Sequence, residues 1–115
     1  MVVRIKRVYD PADDGDGFRV LVDRLWPRGV TRERAAIDLW LKDVAPSPEL
    51  RTEWHHDPGR FDDYAERYRA ELDQNPATAE LRDLIAGHPT VTLLYGSKDP
   101  VRNHARVLED FLASW

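Results

Sequence analysis

Residues 18–29 read Phe18-Arg19-Val20-Leu21-Val22-Asp23-Arg24-Leu25-Trp26-Pro27-Arg28-Gly29, an apolar run that ends abruptly in charged and turn-forming residues. The first five positions suit a buried strand, and the chain passes from it straight into a loop. That pattern belongs to a ligand site at the carboxyl edge of an α/β sheet, so it constrains the fold and the place of a site together.

The remaining segments interleave strand and helix signals, which predicts a single α/β domain over residues 1–115, with a small, mainly parallel sheet flanked by helices in Rossmann-like layering. Residues 2–9 read as a strand in which Val3, Ile5 and Arg7 share one face. Whether it pairs with residues 18–22 as a hairpin or through a tight crossover is left open, because the connector is short for a parallel return. That connector, Asp10 to Gly17, is dense in turn formers; its aspartates lack EF-hand spacing, so a plain acidic turn is expected. Thr31 caps one helical turn over 31–36, and residues 37–41 alternate like a short strand. Ser47-Pro48-Glu49 is a helix start with its cap and first-turn proline in place. Residues 59–74 form the best amphipathic helix, with Phe61, Tyr64, Ala65, Tyr68 and Leu72 inward, and 77–86 make another. Val91 to Tyr95 is a second buried strand. Asp99 is expected to cap the last helix with Pro100 at its first position, its inner stripe running from Val101 through His104, Leu108 and Phe111 to Trp115.

Composition narrows the chemistry. The chain has no cysteine, so disulfides, zinc–thiolate sites and thiol nucleophiles are excluded. No apolar run approaches the roughly 20 residues needed to span a membrane and nothing resembles a signal peptide, so no membrane partner and a cytoplasmic location are expected. A net charge of −4, from 17 basic and 21 acidic residues, argues against coating duplex nucleic acid with the whole surface. The basic residues do cluster locally: residues 24–34 hold four arginines and one glutamate.

Two strand-to-loop junctions carry the candidate chemistry, Val22-Asp23-Arg24 and Tyr95-Gly96-Ser97-Lys98-Asp99. If their strands are parallel neighbours, both loops leave the same edge of the sheet, and the second leads into a helix N-terminus that favours an anion. Arg24 and Arg28 can then clamp a phosphate or carboxylate in a bidentate fork, with Ser97, Lys98 and Asn103 adding donors. The alternative is that Arg24 pairs with Asp23 or another carboxylate and only pins the loop. Asp23 is either a base at a strand end or that structural partner. His104, one turn in from the Ser97-Lys98 loop, is either a general acid/base or a hydrogen-bonded core residue. Trp26 can stack on a base or sugar, whereas Trp40, Trp54 and Trp115 are assigned to packing. His55-His56 cannot readily chelate one ion, because adjacent helical side chains point about 100° apart. No metal site or cofactor motif is read.

Lys6-Arg7-Val8-Tyr9-Asp10-Pro11, the block Val20 to Gly29, Leu93-Leu94-Tyr95 and Asn103-His104-Ala105 occur in order, and together resemble the YeaO-like branch of the bacterial domain-of-unknown-function 488 family over nearly the whole chain. The resemblance implies a small single-domain cytoplasmic α/β protein without an established biochemical function. Other branches of that family carry a cysteine where this chain has Asn103, so thiol chemistry does not carry over. Names in the family that point to transcription regulation or porphyrin methylation find no winged-helix pattern or glycine-rich methyl-donor loop here.

The leading expectation is therefore a site for a small anion or nucleotide-type ligand, built from Arg24, Arg28, Trp26, Ser97, Lys98 and Asn103, with His104 and Asp23 as its catalytic candidates. A nucleic-acid or protein-interaction module using the arginine-rich loop 24–34 is the alternative. Oligomeric state is not encoded in any recognised pattern.

Overall fold

A computed structural model describes residues 2–114; Trp115, and with it the end of the predicted inner stripe, lies outside the described residues. The most apolar runs take the centre of the sheet. β4 (Thr90–Tyr95) lies between β1 (Val2–Arg7) and β2 (Phe18–Leu21), and β3 (Leu39–Trp40) flanks β2, so the order is β1-β4-β2-β3. Every pairing among the described strands is parallel, with Val2 to Arg7 in register with Thr90 to Tyr95, and Phe18 to Leu21 with Val91 to Leu94. The first two strands are thus neither a hairpin nor direct neighbours. β1, carrying Arg4, Lys6 and Arg7, is pushed to the edge, where charged side chains are tolerated and discourage pairing with other chains.

The two sheet faces are covered differently. Val20, Val22, Val91, Leu93 and Tyr95 pack under α2 (Pro48–His56), α3 (Phe61–Gln74), α4 (Pro76–Ala86) and α5 (His104–Ala113), against Leu50, Tyr64, Tyr68, Leu81 and Leu108. Val8, Leu21 and Leu94 point to the opposite face, closed by Ala35 of the one-turn α1 (Arg32–Ala35) and by Trp26, Val30, Ile37 and Trp40. Val3 and Ile5 lie with the helical face, as their alternation predicts.

The acidic connector is more than a turn. Asp13 caps a 3-10 turn over Asp14–Asp16 through a capping box, and Asp16 is buried. Its carboxylate receives Lys6 Nζ at 3.0 Å and Arg19 Nη1, while its carbonyl accepts from Thr92 Oγ1 at 2.6 Å. Arg19, also buried, donates its other Nη to Ala35 O at 2.8 Å and its Nε to Ala36 O at 3.1 Å. Gly17 follows with φ +66°, and a Cβ there would lie 2.3 Å from Thr90 O. Ten residues can bridge β1 and β2 across β4 because the connector is tied down by these charges and presses directly on the β4 backbone.

The last helix starts later than predicted. Asp99 accepts from Val101 N at 2.9 Å and Arg102 N at 3.0 Å in a loop turn, and Asn103 caps α5 by accepting from Arg106 N at 2.8 Å. Val101 consequently sits outside the helix and is exposed, not inward. Ser47 and Thr31 cap α2 and α1 as expected.

Candidate functional site

β2 and β4 are parallel neighbours, so their carboxyl ends open side by side. Val22 N still donates to Leu94 O at 3.0 Å, which carries the ladder one residue past β2 and delivers Asp23 next to Gly96. Asp23 Oδ2 accepts from Gly96 N at 2.9 Å, and a Cβ on Gly96 would meet that oxygen at 2.9 Å. The missing side chain of Gly96 therefore leaves room for the Asp23 carboxylate.

His104, the first residue of α5, joins the same junction. Its Nε2 lies 3.1 Å from Val22 O and 3.0 Å from Asp23 Oδ1. Both neighbours are acceptors, so Nε2 carries the proton. The bond is directed at the carbonyl; the approach to Oδ1 is an electrostatic contact without good alignment, and that oxygen has no hydrogen-bond donor of its own. Tyr68 meets the imidazole edge-on at 6.2 Å and anchors itself to Val44 O at 2.6 Å. His104 is thus both a packed residue and one wall of an open site.

That site is a cavity of about 190 Å³. One side is Asp23, Arg24 and Leu25 from the β2 loop, with Ser97, Arg102, Asn103 and His104 from the β4–α5 connection. The other is Ala45 and Pro46 ahead of α2 and Arg51, Trp54 and His55 on it. Arg24 donates through Nε to Pro46 O at 3.2 Å and more weakly through Nη2 to Ala45 O at 3.4 Å, tying the two sides together. It makes no ion pair with Asp23. Among the described residues no carboxylate lies within ion-pair distance of Arg24, Arg51 or Arg102. A cavity with three such guanidinium groups and one carboxylate favours a negatively charged guest.

Five of the sequence-selected residues, Asp23, Arg24, Ser97, Asn103 and His104, come together around the cavity, and three do not. Lys98 is exposed and lies outside the lining. Arg28 is exposed as well, its carbonyl accepting from Tyr9 Oη at 3.0 Å. Trp26 packs on the opposite sheet face: its indole N–H donates to Val30 O at 2.7 Å, its ring meets Trp40 at 5.5 Å, and Arg32 covers it at 5.1 Å. The partners of Arg24 at the cavity are Arg51 and Arg102, not Arg28. Asn103 is buried and uses its amide inside the loop, Oδ1 on Arg106 N and Nδ2 on Asp99 O at 2.9 Å. Ser97 is held from behind, Arg7 Nε donating to its carbonyl at 2.9 Å.

Sequence reasoning missed Arg51, His55 and Arg102, and gave Trp54 to packing alone. Arg51, Trp54 and His55 stand at i, i+3 and i+4 on α2, a spacing that puts them on one helical face and was the available signal. Among the described residues no group of three or more histidine and carboxylate side chains is placed to share a metal ion, and no helix is long and apolar enough to cross a membrane.

Comparison with known proteins places the chain. A family profile described as the inactive DUF488-N3 subclade matches residues 2–115. The uncharacterised protein YeaO of Escherichia coli K12 is 45% identical over 114 residues, covering 99% of each chain. Uncharacterised Rv3073c of Mycobacterium tuberculosis H37Rv is 48% identical over 110 residues, covering 96% of this chain and 92% of its own. No solved structure shows significant similarity. With a profile match over almost its full length and YeaO-like relatives near half identity, the chain belongs to the DUF488 family, within its inactive N3 subclade.

Proposed function

We propose that this protein binds a small phosphate- or carboxylate-bearing molecule in the cavity between the carboxyl edge of the sheet and α2, as a binding protein and not as a catalyst. The carrying observation is that Arg24, Arg51 and Arg102 line one cavity without a carboxylate partner among the described residues. At about 190 Å³ the cavity is smaller than the roughly 300–1,000 Å³ of typical drug-sized sites, which favours a compact anion over a nucleotide. The absence of turnover is supported by Asn103, which stands where other branches have a cysteine and uses its amide within the loop. The description of the subclade as inactive agrees with that reading.

Nucleic-acid binding by loop 24–34 has less support. Trp26, its stacking candidate, is engaged by Trp40 and Arg32, and Arg24 turns to the cavity. Acid–base catalysis by His104 is the second reading, favoured by the 3.0 Å contact that lets Asp23 orient the imidazole.

Calorimetric titration with inorganic phosphate and small carboxylates tests the proposal. Wild type is expected to bind, and Arg102→Ala to bind about ten- to a hundredfold more weakly, the loss of one charge-assisted contact. No binding to wild type by any of these anions at millimolar concentration would refute it.

A further inference from the structure

We infer that the ligand of this cavity is an aryl-bearing anion, a charged phosphate or carboxylate head joined to a compact aromatic group; this rests on the anion-binding reading above. The cavity has two chemically distinct walls. Arg24, Arg51 and Arg102 supply the cationic one, and Leu25, Pro46 and Trp54 supply an apolar one. Trp54 is half-buried and held rigidly, with Tyr64 stacked at 5.6 Å, Phe61 at 5.7 Å and Tyr68 at 6.4 Å. Such fixed aromatic surface loses little freedom when a ring settles on it.

Leu25 is the second observation. It is 56% exposed, and among the described residues it is the one large apolar side chain left in solvent that lines the cavity. It contributes little to the core, yet stands directly beside Arg24. A bare phosphate would fill the cationic side and leave water against Leu25, Pro46 and Trp54. A guest with an apolar group removes that water. The order of residues on α2 sets the geometry, since Arg51 and Trp54 are three apart and share one face, so head and ring are recognised by neighbouring side chains.

The test compares phenyl phosphate with inorganic phosphate, and benzoate with acetate, by calorimetry on wild type and Leu25→Ser. The aryl ligand of each pair is expected to bind about tenfold or more tightly, as burial of part of a ring predicts. Leu25→Ser, at an exposed loop position, is expected to narrow that preference by about threefold or more. Equal affinity within both pairs overturns the inference and leaves the anion site standing. A preference unchanged in Leu25→Ser also overturns it. If no anion of either kind binds, the anion-binding reading fails first and the inference with it.

Discussion

Replacing Asp23 with Asn tests the junction on which the cavity is built. The carboxylate accepts from Gly96 N at 2.9 Å through Oδ2, while Oδ1 faces the His104 Nε2–H at 3.0 Å in an electrostatic contact. An asparagine of the same shape offers one acceptor and one NH₂ group. If its oxygen keeps Gly96, the NH₂ faces the Nε2–H; if it turns to His104, the NH₂ faces the glycine N–H. The imidazole can relieve the first clash by moving its proton to Nδ1, but Val22 O then loses its donor at 3.1 Å. Every arrangement leaves one partly buried donor or acceptor unmatched, which costs about 1–3 kcal/mol. With a urea m-value of about 1–3 kcal/mol per molar, the midpoint should fall by about 1 M. Nitrogen NMR of the ring should report Nε2–H in wild type and a changed tautomer balance in the variant. An Nδ1–H pattern in wild type would refute the Nε2–H assignment, and a loss below about 0.5 kcal/mol with the same ring pattern in both proteins would refute the joined role of Asp23 and His104.

Two further outcomes follow from the connector between β1 and β2. Gly17→Ala puts a side chain at φ +66° and ψ −135°, a backbone region costing roughly 1–3 kcal/mol for non-glycine residues. It also drives a Cβ to 2.3 Å from the Thr90 backbone oxygen, which no rotamer change relieves, so denaturation should show a loss of about 3 kcal/mol or more; a loss under about 1 kcal/mol would contradict the packing of this turn on β4. Burial raises the Asp16 carboxyl, but the Lys6 ammonium, the Asp13 backbone N–H and the Arg19 guanidinium outweigh it and hold it below the ordinary carboxylate range. A depressed carboxylate contributes stability that is fully present above its unfolded value near about 3.9 and lost as pH falls through the lower folded value. Unfolding free energy should therefore drop below about pH 4, and Asp16→Asn should flatten that drop while losing stability at neutral pH, where Arg19 stays buried without its counter-charge. An acid profile identical in both proteins would sink this account.

Local chemistry makes much of the molecule legible in its sequence. Alternation in Val3 and Ile5 marked their sheet face, the 3.6-residue spacing of Tyr64, Ala65, Tyr68 and Leu72 marked the buried stripe of α3, and Thr31 and Ser47 marked helix starts. Each signal is carried by residues within a turn or two of one another. The junctions at Asp23 and Gly96 were legible in the same way, as apolar runs breaking into turn residues.

Strand order, helix start and cavity membership were settled only by the fold. Asp99 and Asn103 are both good caps; Asp99 holds a loop turn through Val101 N and Arg102 N, and Asn103 caps the helix that buries Val107 and Leu108. Trp26 and Arg24 stand two residues apart in one loop, yet one packs under the sheet and the other reaches across to Pro46. Arg51 and Arg102 became neighbours of Arg24 because β4 slid between β1 and β2 and brought α2 and the β4–α5 loop to the same edge. Elements and their buried faces are written locally, because propensity and periodicity act over a few residues. Tertiary structure decided which charges share a hollow, because that depends on contacts between segments tens of residues apart.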